Sequence, residues 1–187
     1  MLMENRCLFL SRTKIAALVA AALLVAAFSQ CRVSPNAGAG ADPQDFLPLD
    51  NDISGFVKKG SASLMTDQQS IFNAIDGQAQ KYIDEGFEEG VEQLYSNGSI
   101  DIDVRIFNQG TSANALTLFN YFMPTSSQTL SRSDPLVVVD QSLATSYSLQ
   151  YTKQNIYMQI TTTEKSDFAL DMGEQFYFNV DKKIGAQ

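Results

Sequence analysis

One segment restricts the fold more than any other: Val91–Tyr95 and Ile100–Phe107, two alternating apolar runs separated by Ser96-Asn97-Gly98-Ser99. Alternation at period two places one set of side chains on each face of a strand, and Asn-Gly between two such runs is a strong hairpin signal. A two-residue turn at Asn97-Gly98 pairs Tyr95 with Ile100, Gln93 with Ile102 and Val91 with Val104. The apolar residues then fall mostly on one face, as a half-buried antiparallel sheet requires. Leu94 with Asp101, and Glu92 with Asp103, occupy the other face.

Helical spacing flanks this hairpin on both sides. Thr66 or Asp67 is a suitable N-cap, with Gln69 placed as in a capping box. Ile71, Phe72, Ile75, Ala79, Tyr82 and Ile83 then recur along one stripe up to Gly86. Gly77 interrupts that stripe at a cost of about 1 kcal/mol relative to Ala, so either the helix bends there or a neighbour packs closely against it. After the hairpin, Ser112 is placed to cap a helix through Ala115, Leu116, Phe119 and Phe122, and Pro124 closes it.

A related order returns about fifty residues later. Tyr147–Thr152 and Ile156–Thr162 form a second hairpin around Lys153-Gln154-Asn155, and Ser166 caps a final helix. Ser112-x-x-Ala115-Leu116 matches Ser166-x-x-Ala169-Leu170, and Leu136–Val139 reads as a further buried strand. The expected fold is α+β: a single domain whose antiparallel sheet is built from two hairpin-plus-helix units with helices packed on it. Each half alone would have too small a core to stand as a domain.

The N-terminal region reads as an export and anchoring signal. Residues 1–14 carry Arg6, Arg12 and Lys14 against Glu4, and Ile15–Phe28 is an unbroken apolar run. This is the order of a secretory signal, and the run is shorter than the ~20 residues that span a bilayer. Cys31 follows Phe28-Ser29-Gln30, an arrangement that resembles a bacterial lipobox, with Gln30 where Gly, Ala or Ser is usual. The resemblance implies a palmitate-type acylated cysteine, and more than one acyl chain suffices for stable anchoring. Arg32 in place of Asp points to the outer rather than the inner membrane, facing the periplasm. The expected division is therefore a signal peptide at 1–30, the anchor cysteine and a Gly/Ala/Pro-rich tether at 31–45, and the domain at 46–187.

Charge and residue chemistry narrow the function. The chain has a formal charge of −8, and removal of the basic signal leaves a domain near −10 whose largest basic clusters are Lys58–Lys59 and Lys182–Lys183. Such a domain repels phosphate backbones, which argues against nucleic acid as a partner. There is no histidine, and the cysteines are Cys7 inside the signal and Cys31. A catalytic triad, a His-ligated zinc site and a disulfide within the mature chain are thereby excluded.

Four residue groups merit consideration as sites. Glu92, Asp101 and Asp103 are cation-site candidates on the polar strand face, set against a plain solvated face. Asp84, Glu85, Glu88 and Glu89 read as a solvated helix end and loop. Asp50-Asn51-Asp52-Ile53-Ser54-Gly55 begins like a calcium loop, but Lys58 and Ser61 stand where later ligands belong, so an Asx-rich turn is expected. The seven Tyr and twelve Phe read mainly as core, with an apolar ligand groove between sheet and helices as the alternative.

The segment Ile75-Asp76-Gly77-Gln78-Ala79-Gln80-Lys81-Tyr82, followed by Gly86-Phe87, resembles the signature of an uncharacterised bacterial family of secreted and lipid-anchored proteins. That signature reads Ile-Asn-Gly-x-Ala-x-x-Tyr-x-x-x-Gly-Phe, with Asn where Asp76 stands here. The resemblance covers residues 46–125 and assigns Asp76, Gly77, Ala79, Tyr82, Gly86 and Phe87 structural roles; it implies no activity. The combined expectation is a non-catalytic envelope lipoprotein that uses neither cofactor nor metal. It would be bound to the membrane by its lipid and would serve as a binding or structural module for a protein partner or a small envelope ligand. The alternative is a carboxylate-dependent hydrolase of envelope glycans, which needs two carboxyl groups ~5–9 Å apart across a cleft.

Overall fold

In a computed structural model, two hairpins lie side by side at the centre of one antiparallel sheet, and the structure describes residues 42–129 and 137–186. The first hairpin is β3 (Glu89–Ser96) with β4 (Asp101–Asn108), and the second is β7 (Ser148–Lys153) with β8 (Ile156–Thr162). β4 pairs with β8 from Ile102↔Thr162 to Asn108↔Ile156, which joins the two units. β1 (Val57–Lys58) and β2 (Ser63–Met65) share the free edge of β3, and β6 (Val137–Asp140) and β5 (Ser127–Thr129) extend the sheet beyond β7. The order along the sheet is β1-β3-β4-β8-β7-β6-β5, with β2 also on β3. The domain is α+β, as the alternation and the repeated hairpin–helix order lead one to expect.

Strand parity sorts the side chains into two layers. Val91, Tyr95, Ile102, Val104, Ile106, Leu149, Tyr151, Met158 and Ile160 belong to one core, closed by helix α4 (Asp167–Ile184). Ala169, Met172, Phe176, Tyr177, Val180 and Ile184 recur at helical spacing on its buried side. Phe176 meets Phe56 edge-on at 5.3 Å and Tyr95 at 4.9 Å, which ties the N-terminal loop to the same core. As expected, Ser166 caps α4, its Oγ accepting from the Ala169 N–H at 3.1 Å. The opposite face carries Phe107, Val138 and Tyr157 under α1 (Gln68–Ile75), α2 (Ala79–Asp84) and α3 (Ser112–Phe122). The helices thus cover both faces.

The first hairpin differs from its expected register by two residues. Tyr95 pairs with Ile102, Gln93 with Val104 and Val91 with Ile106, and the loop is the four residues Asn97–Ile100. A two-residue type I′ turn needs positive φ at both central residues, whereas here Gly98 takes it (88°) and Asn97 does not. Asn97 instead accepts the Ser99 and Ile100 N–H groups, each at 2.9 Å, forming an Asx turn, and Ile100 is buried rather than paired. A shift of two preserves parity, so the apolar and polar faces stay as expected. The second hairpin turns tightly at Gln154-Asn155, with Lys153 opposite Ile156.

Of the two expected caps, Asp67 is the one that starts α1, but its box partner is Ser70, not Gln69. Asp67 Oδ1 accepts the Ser70 N–H at 2.8 Å, and Ser70 Oγ accepts the Asp67 N–H at 3.0 Å. Thr111 caps α3 in place of Ser112, and Leu118 rather than Leu116 is buried. With Thr111 and Ser166 as the caps, the Ser-x-x-Ala-Leu match is one residue out of frame. The repeated strand–strand–helix order is real; the short sequence match does not align it.

The expected continuous helix over Ile71–Ile83 is broken. α1 stops at Ile75, Asp76 takes φ 46°, a 3₁₀ turn covers Asp76–Gln78, and α2 starts at Ala79. With ψ at −134° Asp76 lies outside the left-handed helical region, a backbone conformation that strains any residue but glycine. A Cβ at Gly77 would meet nothing within 4 Å, so the chain bends here and close packing is not the reason for the glycine. Gly86 is different. It ends α2 in a Schellman motif, with Phe87 N–H on Tyr82 O and Gly86 N–H on Ile83 O, both at 3.0 Å. Its φ is 78°, and a Cβ there would lie 2.4 Å from Asn114 Nδ2. In urea titrations Gly77→Ala should change stability by less than about 0.5 kcal/mol. Asp76→Gly should raise it by about 1 kcal/mol and Gly86→Ala lower it by about 2 kcal/mol or more.

Candidate functional site

The helices of the second face cover only one end of it. Beyond Phe107 and Tyr157, successive rungs of the sheet carry polar side chains: Arg105, Gln159 and Gln150 in one row, Asp103, Thr161 and Ser148 in the next. Where this open region meets the end of α3 and the 76–82 connector there is a cleft of about 240 Å³. Its floor is Ser148, Gln150, Gln159 and Thr161; one wall is Tyr82, Phe122 and Tyr157; Gln78, Asp140 and Leu143 complete the rim.

The floor is held by its own hydrogen bonds. Gln159 Nε2 donates to Ser148 Oγ at 3.1 Å, and the Tyr157 hydroxyl donates to Gln150 Oε1 at 3.3 Å. Tyr82 lies 5.3 Å from Phe122 and 6.0 Å from Tyr157, ring centre to ring centre, and Phe122 stacks on Tyr157 at 6.1 Å. Burial pushes the Tyr82 and Tyr157 phenols well above their ordinary pKa, so both are neutral hydroxyls at physiological pH. The arrangement provides aromatic surface and uncharged donors and acceptors together, with a single carboxylate at the edge. The groove between sheet and helices is therefore present with a polar floor, not an apolar one. Tyr95, Tyr151 and Tyr177 are core residues, and Tyr121 is exposed.

The three carboxylates considered as a cation site are each matched to a cation of the chain itself. In the observed register Glu92 faces Arg105, not Asp103. Arg105 Nη2 lies 2.7 Å from Glu92 Oε1, and Arg105 Nε lies 3.0 Å from Asp103 Oδ2. Asp101 pairs with Lys59 at 2.6 Å, which with a bond from Ser96 holds its pKa below the usual value. Among the described residues no group of three or more metal-binding side chains is assembled. The Asp50–Gly55 segment is an Asx-rich turn: Asp50 Oδ1 accepts Lys58 N–H at 2.8 Å, Asp52 Oδ2 accepts Leu49 N–H at 2.9 Å, and Asp52 pairs with Lys183 at 3.3 Å. Glu85 pairs with Lys81 at 2.5 Å at the end of α2, and Asp84 and Glu88 are exposed.

The family-signature residues meet the cleft at two points. Tyr82 is in its wall and Gln78, inside the signature, is on its rim, while Ala79 is buried beneath α1 and Gly86 and Phe87 form the turn into β3. Cys31, Cys7, the expected signal segment and nearly all of the expected tether lie outside the described residues, as does Leu136. No described helix is long and apolar enough to cross a membrane. Ser148, Gln150, Gln159 and Thr161 escaped sequence reasoning. The signal was present: alternate polar positions on two strands that the hairpin pattern places together.

No family model matches the sequence, and no curated protein matches it. Among solved structures it is similar to the extracellular domain of PknH from Mycobacterium tuberculosis, with a TM-score of 0.48 and 9% identity over 76% of this chain and 97% of that one.

Asp103 gives a pH signature. Burial, which outweighs the neighbouring Arg105, raises its pKa from 3.8 to about 6, and its Oδ1 is buried without a hydrogen-bond partner. At this carboxyl the folded protein therefore binds more protons than the unfolded chain between about pH 4 and 6, and the contribution of Asp103 to stability falls as pH rises through that window. The shift corresponds to a loss of about 3 kcal/mol. In urea titrations from pH 4 to 7, Asp103→Asn should flatten this slope and raise stability at pH 7. An unchanged slope would show that Asp103 stays ionised throughout.

Proposed function

We propose that this protein is a bacterial cell-envelope lipoprotein whose domain is a non-catalytic module binding a small ligand in the cleft on the sheet. The cleft is the observation that carries the reading: an aromatic wall and a polar floor converge on one concavity, the usual composition of a small-molecule site. Anchoring rests on Ile15–Phe28 and the cysteine that follows, Cys31, with a tether that gives the domain reach from the outer-membrane surface into the periplasm. Kinship with the family of lipid-anchored proteins that shares the 75–87 signature belongs to the same proposal.

The geometry favours binding over hydrolysis. Glycoside cleavage by paired carboxylates needs a second carboxyl group across the cleft, and among the described residues that line it Asp140 is the one carboxylate. Glu92 and Asp103 share Arg105. Without histidine, an imidazole base is absent as well.

Cys31→Ser should move the protein from the membrane fraction to the soluble fraction; retention in the membrane after a high-salt wash would refute lipid anchoring. The binding role has its own test. Native mass spectrometry of protein extracted from the envelope in mild detergent should reveal a small-molecule adduct that Gln159→Leu loses. Identical spectra for the two proteins would count against the cleft as a binding site.

A further inference from the structure

We propose that the cleft takes a neutral saccharide, with one sugar ring seated against Phe122, which the buried Tyr82 and Tyr157 hold from behind, and its hydroxyls on the floor of the sheet. The inference rests on reading the cleft as a binding site and adds the chemical class of the ligand.

Charge removes the first alternatives. Among the described residues no Lys or Arg lines the cleft; Arg105 beside Gln159 is paired with Glu92 and Asp103, and Lys165 donates to the Gln141 and Leu143 carbonyls at 2.6 and 2.9 Å, so a phosphate or carboxylate would meet only engaged cations and would face Asp140. A cation would meet that one carboxylate, whose Oδ1 already accepts the Ser142 N–H at 2.8 Å. Most of the polar lining is neutral, and its chemistry is two-sided. A carboxamide donates and accepts from one planar group, and a Ser or Thr hydroxyl does both from one atom. An anion uses only donors and a cation only acceptors. A polyol, each of whose hydroxyls both donates and accepts, matches both halves of this floor.

Spacing favours a ring. Gln150 and Gln159 are directly opposite each other, and Ser148 and Thr161 are opposite each other two residues along on the same face. Such rungs form a patch about 5 Å across the strands and about 7 Å along them, the footprint of a single six-membered ring with its hydroxyls. A volume of about 240 Å³ is less than the ~300–1,000 Å³ of sites that engulf drug-sized molecules, consistent with one sugar residue or the end of a glycan. Of the aromatic wall, Phe122 keeps part of its ring exposed and supplies apolar surface for the C–H face of that ring, with Tyr82 and Tyr157 buried behind it. The Gln159–Ser148 and Tyr157–Gln150 bonds fix both carboxamides before a ligand arrives, which reduces the ordering cost of binding.

The test uses the full-length protein in detergent micelles, following the side-chain amide NMR signals of Gln150 and Gln159. Probes are cellotriose, maltotriose and the β-1,4-linked trimer of N-acetylglucosamine, each to roughly 10 mM so that even a ~1 mM contact saturates. Choline, inorganic phosphate and an uncharged tetrapeptide run in parallel. At least one saccharide should shift both signals saturably. Gln159→Leu, Phe122→Leu and the near-isosteric Thr161→Val should each weaken it at least tenfold, with Thr161→Val keeping the wild-type melting temperature. Saccharide binding that survives all three substitutions overturns the proposal. If choline, phosphate or the peptide shifts these signals and the sugars do not, the saccharide assignment falls and the binding cleft stands. Silence from every probe overturns the saccharide and takes the binding role with it.

Discussion

The pairing of β4 with β8 is the contact on which both faces of the domain depend. It brings together two hairpins that lie about fifty residues apart in sequence, with Val104 opposite Ile160 and Arg105 opposite Gln159. Parity then propagates from this seam through every ladder of the antiparallel sheet. Once Val104 and Ile160 point toward α4, Arg105, Gln159 and Gln150 must point the other way. A slip of one residue at the seam would exchange the apolar core for the polar rows, which is far too costly to coexist with the native pairing. The register of the cleft floor is therefore fixed by burial on the opposite side of the sheet.

The second face divides its area between packing and exposure. α1, α2 and α3 cover the end where Phe107 and Tyr157 supply apolar contact, and they stop where the rungs become Gln, Ser and Thr. The break at Asp76 contributes to this. A continuous helix from Ile71 to Ile83 would carry one straight stripe, whereas the bend redirects the chain so that Ile71, Ala79 and Tyr82 all reach the same small core. Gln78 and Tyr82 consequently arrive beside strands that lie about seventy residues further along the chain. The backbone cost at Asp76 is thus coupled to the cleft, one of whose walls begins two residues later.

Much of this was legible in the sequence, for identifiable reasons. Period-two alternation gave both hairpins and their faces, and Ser166 gave the start of the last helix, because these depend on local chemistry and parity. Turn geometry was less accessible: Asn97 had two ways to organise Gly98, and burial of Ile100 selected the longer loop. That difference of two residues matters little to the core and a great deal to charge. It replaces Asp103 by Arg105 opposite Glu92 and so turns a supposed acidic cluster into an ion pair. The cleft was hidden for another reason. Its lining comes from Gln78–Tyr82, Phe122, Asp140–Leu143 and the second hairpin, and no local pattern specifies that these segments converge.

Arg105 connects the charge balance of the sheet to the chemistry of the cleft. It stands between Glu92 and Asp103 and beside Gln159, so this cation at the edge of the floor is already held by two carboxylates. A guanidinium so engaged has little to offer an anionic ligand, and its withdrawal leaves the floor to neutral groups. The cost falls on Asp103, which is drawn into a site where burial outweighs its cationic neighbour and raises its pKa to about 6. Replacing that residue with an apolar one would remove the desolvation but free part of Arg105's charge to face the cleft. The buried carboxylate is destabilising at neutral pH, yet it helps keep the adjacent surface uncharged. The penalty at Asp103 and the neutral chemistry of the floor thus have a common origin in the placement of one arginine.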